Sequence, residues 1–319
     1  MNIIIAKVFF TILLLSCVSN AKDIQPFSIF YSVGFVNDFI IDSDKLYVGN
    51  DMGIVDIFNI KTTKIIKQIS LPPLTSSMGK IIPANILSVD YLNGKLLILS
   101  IGKDLFCNVW IYENNKLKQI INEEKKLSIK KARFINDEQI LFASLGSDIK
   151  LYDISENYNV YNLSISHSSM SDFVLNDDKT KMIMADGSGA VKIINTKNAN
   201  IQNTLSSLNV DNIYKVAQSN GIIITAGQDR RVGVYPKDKK PYYLKSDFLV
   251  FCVGISPSGN IGVYSSGEGN NLQLFDTKTK KLKDRLIGHK NIVNQIKFIN
   301  ENELFTSERN SYVLYWKLK

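Results

Sequence analysis

Two histidines and three cysteines set a low ceiling on the chemistry this chain can carry. His167 sits among Ser166, Ser168 and Ser169, which suggests a serine nucleophile beside a base. Such a pair needs a third group to orient the base and an oxyanion hole. Nothing at fixed spacing supplies either, so His167 reads as a loop residue. Cys107 and Cys252 are isolated in sequence and read as buried thiols, with a disulfide possible but not implied. No Cys-x-x-Cys-His or paired Cys-x-x-Cys occurs, which removes covalent haem, zinc ribbons and iron–sulfur clusters from consideration. Asp186-Gly187-Ser188-Gly189 offers oxygen ligands for calcium, but its composition is first that of a tight hairpin turn. Gly267-Glu268-Gly269 lacks the strand-to-helix setting of a phosphate loop, and Asn176-Asp177-Asp178 and Glu123-Glu124 are turn residues. Asn162-Leu163-Ser164 is a glycosylation acceptor only in a eukaryotic secretory route. The residues therefore predict no catalytic, metal or cofactor site.

What the chain does carry is a repeated strand. IVDIFNI, NVWIYEN, IKLYDIS, VKIINTK, VGVYPKD, LQLFDTK and VLYWKLK place large residues at Phe58, Tyr112, Tyr152, Ile194, Tyr235, Phe275 and Trp316. The gaps between them are 54, 40, 42, 41, 40 and 41 residues. A period of this length, with several short strands and turn residues per unit, predicts an all-β seven-bladed β-propeller. In the fifth unit the strands are expected over 215–217, 222–226, 231–235 and 242–245. In the sixth they are expected over 252–256, 261–265, 271–276 and 282–287. Nothing sustains a helical period.

The seventh unit has only three strands before the chain stops at Lys319. Pro26–Val33 is the spare strand-like segment, with Phe27, Ile29 and Tyr31 alternating, and is expected to complete the last blade and close the ring.

Gly288-His289, a following strand, Thr306-Ser307 and a strand ending Tyr315-Trp316-Lys317 resemble a WD repeat. The resemblance implies a hydrogen-bonded set of His289, Thr306, Asn310 and Trp316, with Asn310 in place of the family's usual Asp. The fifth unit keeps Thr225 and Asp229 but lacks the His and Trp. The match extends over the chain by period and over one blade by motif. It implies a non-catalytic scaffold that binds protein partners.

The N-terminus is read apart from the fold. A positive charge at Lys7, the apolar run Val8–Val18 and Ser19-Asn20-Ala21 describe a signal peptide over residues 1–21, with the propeller over 22–319. The run is about half the ~20 residues that a membrane-spanning helix needs. Leu14-Leu15-Ser16-Cys17 also resembles a lipobox, which would anchor the mature chain by a lipid on Cys17. The expected location is the periplasm. The formal charge of +8 is mostly scattered lysine, without basic blocks interleaved by aromatics, so nucleic acid is not an expected partner. Signal peptide, degenerate WD-type ring and Lys/Ile/Asn-rich composition together resemble the NapL-type periplasmic accessories of the nitrate reductase system. That resemblance implies a protein partner in the periplasm, no cofactor and a monomer on its own. The alternatives are a general periplasmic or lipoprotein assembly scaffold, and a propeller that binds a cofactor or catalyses.

One unit departs from the period. The segment Leu71–Asn85, between the first and second blades, carries most of the extra length. Long loops in compact repeats are often functional. Its Leu74, Met78, Ile81 and Ile82 are candidate partner contacts. The second-to-third-strand turns, with Arg230, Arg231 and Arg309, are expected on the same face. The competing expectation is a loop folded over its own blade edge.

Overall fold

The computed structural model describes residues 21–76 and 78–318. Seven antiparallel sheets form the blades. The first blade runs Val36–Asp42, Lys45–Asn50, Ile54–Asn59 and Ile65–Ser70 from the channel outward. Each of the next five blades repeats this inner-to-outer order. The fifth, for example, is Ile213–Ser219, Ile222–Gly227, Arg231–Tyr235 and Tyr242–Lys245. The seven marker residues all fall in third strands. That strand recurs visibly because it is sandwiched between neighbours and buried: Phe58, Phe275 and Trp316 are at most 1 % exposed. Second strands are equally buried, as in Leu96–Leu99. Two short 3₁₀ turns, Lys103–Leu105 and Glu123–Lys125, are the only helical segments among the described residues. None of the described helices is long and apolar enough to cross a membrane.

The seventh blade is Val293–Asn300, Glu303–Glu308 and Tyr312–Lys317, and Ser28–Tyr31 pairs antiparallel with the last of these. The N-terminal strand thus closes the ring, as the strand count predicts. Its inward residue is Phe30, fully buried, whereas Phe27, Ile29 and Tyr31 are exposed. The alternation of Phe27, Ile29 and Tyr31 marks the outer face. Phe30 sits edge-on to Phe58 at 5.5 Å and 5.7 Å from Phe305, so one ring joins the first blade to the last. Just upstream, Asp23–Ile24 adds a short parallel strand to Leu282–Leu286 at the rim of the sixth blade, which the sequence does not announce. Arg285 and Asp23 form an ion pair there at 2.9 Å. The leader assigned to residues 1–21 and the lipobox Cys17 lie, but for Ala21, outside the described residues.

In this connectivity the second-to-third turns and the links between blades open on one face. The first-to-second and third-to-fourth turns open on the other. The Leu71–Asn85 segment belongs to the first face.

Candidate binding face and central channel

The sequence-predicted polar set lies inside the seventh blade. Trp316 Nε1 donates to Thr306 Oγ1 at 2.8 Å, Thr306 Oγ1 meets His289 Nε2 at 2.9 Å, and His289 Nδ1 meets Glu308 Oε2 at 2.8 Å. All of these donors and acceptors are satisfied with the imidazole proton on Nδ1. The acid is therefore Glu308, not the residue at Asn310. Asn310 lies two residues along, in the turn, where its side chain accepts from Ser311 N. Burial pushes the Glu308 carboxyl up, but hydrogen bonds from His289 and Tyr312 outweigh it and hold it at about 2.

Related staples recur with other residues. In the fifth blade Asn209 accepts from Thr225 Oγ1 at 2.6 Å and donates to Asp229 at 3.0 Å, standing where His289 stands in the seventh. In the first, Ser32 and Asn50 both donate to Asp56. In the fourth, Ser166 and Lys192 converge on the fully buried Asp186. That cluster has the composition of a Ser–Lys dyad, but here Lys192 is paired with Asp186 inside the blade. The same carboxylate also holds Ser188, so the Asp186–Gly189 turn is closed by its own side chains. His167 is exposed in the link before the fourth blade. Cys107 and Cys252 are buried free thiols in different blades. Burial pushes the Cys252 thiol up to about 12, so it stays protonated and unreactive. Among the described residues no group of three metal-ligating side chains occurs.

The face carrying the long link is built from stacked connections. Gly34 and the Met52 turn are in such close approach that a Cβ on Gly34 would lie 2.6 Å from Met52 Cγ. Gly53, with φ of +72°, backs directly onto Ala84. Leu71 and Ala84 anchor the two ends of the link in the core, and between them Leu74–Thr75 pairs with Ile81–Ile82 as a small hairpin. Its tip projects: Met78 is 82 % exposed, Ile81 77 % and Ile82 42 %. The ends of the segment thus fold over the blade, as the competing expectation has it, while the tip stands exposed.

Exposed large apolar residues fall into two groups. One group lies along outer strands. The other is Val33, Phe35, Met52, Met78, Ile81, Ile82, Leu105, Leu145 and Val210. Every member of this second group lies in a link between blades or a second-to-third turn, so all share one face. All but Val210 lie on the first three blades or in the links leading into the first and second, Val33 and Phe35 being in the link from the seventh blade to the first. The turns of the opposite face carry none among the described residues. They are built from Asn, Gly, Asp and Lys, with Asn93, Asn114, Asn157 and Asn220 at positive φ. Arg230 and Arg309 are exposed at second-to-third turns of the fifth and seventh blades, on the same face as the apolar arc. Arg231 is engaged within its blade: its guanidinium lies 4.5 Å from the Tyr243 ring centroid and donates to Leu208 O at 2.9 Å.

The central channel, about 690 Å³, is walled by the seven inner strands. Its charged side chains stitch neighbouring blades together. Asp38 accepts from Val89 N, Asp90 from Phe134 N and Asp172 from Val216 N, each reaching the next blade's inner strand. Gln295 does the same to Phe39 N across the closure. Arg133 pairs with Asp38 at 3.1 Å and Lys131 with Asp172 at 2.7 Å. Burial alone would raise the Asp38 carboxyl, but Arg133, and more weakly Lys297 and Lys131, hold it well below the usual carboxylate range.

No family model matches the chain, and no curated protein matches it either. Among solved structures it is similar to the β-propeller domain of Cps50 (Swd1) from Myceliophteria thermophila, with a TM-score of 0.74 at 15 % identity over 92 % of this chain and 99 % of that one. At this identity the likeness is one of fold: the ring is a seven-bladed β-propeller.

Proposed function

We propose that the protein is a non-catalytic scaffold that binds a protein partner through the face carrying the Leu71–Asn85 hairpin. The observation that carries this reading is the asymmetry of the two faces. One presents an apolar arc over the first three blades, with Arg230 and Arg309 exposed on the same face, and the turns of the other hold no exposed large apolar residue among the described residues. Exposed apolar anchors with neighbouring arginines are the composition of interface hot spots, and a contiguous exposed apolar patch marks an interaction surface. The propeller supplies a rigid platform, so binding entails little backbone change.

The finer reading is an exported protein, carried by the leader at residues 1–21, that serves the periplasmic nitrate reductase system. It is supported by the leader's pattern and by the resemblance in composition and architecture to NapL-type accessories. The intact mass of the exported chain tests the first half. A chain beginning at Lys22 fits free export, and a diacylglyceryl mass on Cys17 fits the lipid-anchored alternative.

The partner-binding reading is tested by replacing Met78, Ile81 and Ile82 by Ser, and separately Arg230 and Arg309 by Glu. Both variants should melt as the parent does and lose partners captured from a periplasmic extract. Undiminished capture by both folded variants would remove this face from consideration.

A further inference from the structure

The walls of the channel hold more positive than negative charge. Lys130, Lys131, Arg133, Lys215 and Lys297 face Asp38, Asp90 and Asp172, while the Lys179 and Asp177 pair at the rim cancels. The three carboxylates are already engaged, each by a backbone N–H of the next blade and two of them by a cation as well. Lys130 is spent on the carbonyls of Met170 and Ser171. Lys215 and Lys297 are left, the Lys297 ammonium having only the Phe39 ring, with its centroid 5.7 Å away. Among the described residues neither ammonium has a hydrogen-bond acceptor or a carboxylate within ion-pair distance. Yet both line the channel, beside Val174 and Ala217. A shielded cation without an acceptor is costly, and a counter-ion from solution relieves that cost.

We propose that the central channel is a binding site for a small multivalent anion of phosphate or carboxylate chemistry, with Lys215 and Lys297 as its counter-charges. This inference stands apart from the protein-binding face, since it concerns the inside of the ring. Burial pulls the Lys215 ammonium down, but Asp172 and, more weakly, Cys252 and Asp38 outweigh it and hold it above the ordinary lysine value, although the Asp172 oxygens are used by Lys131 and Val216 N. Burial pushes Lys297 down to about 8, against the opposing pull of Asp38 and Asp90 and with the repulsion of Arg133 and Lys131. Lys131 is pushed down to about 8 as well, again by burial. Both are therefore charged at neutral pH, and the site weakens as pH rises through about 8.

The test is isothermal titration of the purified protein with inorganic phosphate and, in a second arm, with malonate. Potassium chloride at matched ionic strength is the control. One equivalent should bind in at least one arm, and the arm that binds assigns the anion's class. Lys297→Gln and Lys215→Met should each weaken binding about tenfold or more, and Lys297→Arg should keep it. Neither Lys→neutral change should lower the melting temperature without anion, because each removes a charge that has no acceptor. If neither probe binds, if chloride stabilises as well as they do, or if Lys297→Gln binds like the parent, the proposal is overturned. Should Lys215→Met not fold, the contrast of Lys297→Gln with Lys297→Arg decides alone.

Discussion

Thr306 is the residue on which the seventh blade's polar chain turns, because its hydroxyl serves both Trp316 and His289 at 0 % exposure. Thr306→Val keeps the shape but strands two buried ring nitrogens, so it should cost about 1–3 kcal/mol in urea denaturation. His289→Ala should fall in the same range. Trp316→Ala removes a fully buried indole and should cost about 3–5 kcal/mol. Glu308 adds a pH dependence. Its folded carboxyl sits at about 2, below the ordinary 4.5, so its stabilisation is complete above about 4.5 and is lost as pH falls toward 2. Melts between pH 6 and pH 3 should therefore show a steeper decline for the parent than for Glu308→Gln. Parallel curves would mean that Glu308 is not the acid of this chain. Three members of the set were legible because a His, a Thr and a Trp at that spacing have few other readings. The acid was not, because a repeat pattern fixes which turn it comes from and not which residue of that turn reaches the imidazole. The staples built on Asn209, Ser32 and Ser166 were invisible for a related reason: small polar residues in links look the same whether they bond across a blade or face water.

At the scale of elements, the N-terminal strand was legible from arithmetic, since three strands in the last unit demanded a fourth. Its facing was not legible. Phe27, Ile29 and Tyr31 make as good an alternating set as the single Phe30 makes a core residue. The choice is set by Phe58 and Phe305, residues from opposite ends of the chain. Phe30→Ala should accordingly cost about 3–5 kcal/mol, while Tyr31→Ala, at an exposed position, should change stability by less than about 1 kcal/mol. Equal losses would put the strand the other way round. Deleting residues 22–33 removes this strand and the parallel Asp23–Ile24 pairing together, opening the edge of Tyr312–Lys317. The melting midpoint of the truncated chain should drop for the whole ring, not for one blade. The hairpin in the Leu71–Asn85 link is a contrasting element. Its length was readable from the irregular spacing, but its split into anchored ends and a free tip depends on Gly53 backing onto Ala84, a contact between blades.

Over the whole molecule, a constant period was enough to specify a seven-bladed ring, because each unit repeats one local pattern and only the ring buries all of them. Properties that belong to the ring and not to the unit were hidden. The charged side chains that line the channel sit on strands whose sequences look alike, and their pairing depends on how the ring arranges the blades: Lys131 meets Asp172 of the next blade, whereas Arg133 reaches past the second blade to Asp38 of the first. The apolar arc is likewise a property of assembly. Val33, Phe35, Met52, Leu105 and Leu145 are scattered through the sequence and become one surface only when alternate turns are sorted to one side. This sorting supports a comparison between faces. Leu105→Lys with Leu145→Lys places charge in the arc on the second and third blades, outside the hairpin itself. Lys61→Glu with Lys239→Glu alters the opposite face by the same number of substitutions. All four positions are exposed turn residues, so both double variants should melt within the spread expected of surface changes, about 0.5 kcal/mol. A partner broad enough to cover three blades should lose at least tenfold in affinity to the first variant and stay near the parent value with the second. A larger loss from the second variant would place the partner on the polar face, and the arc would then need another explanation.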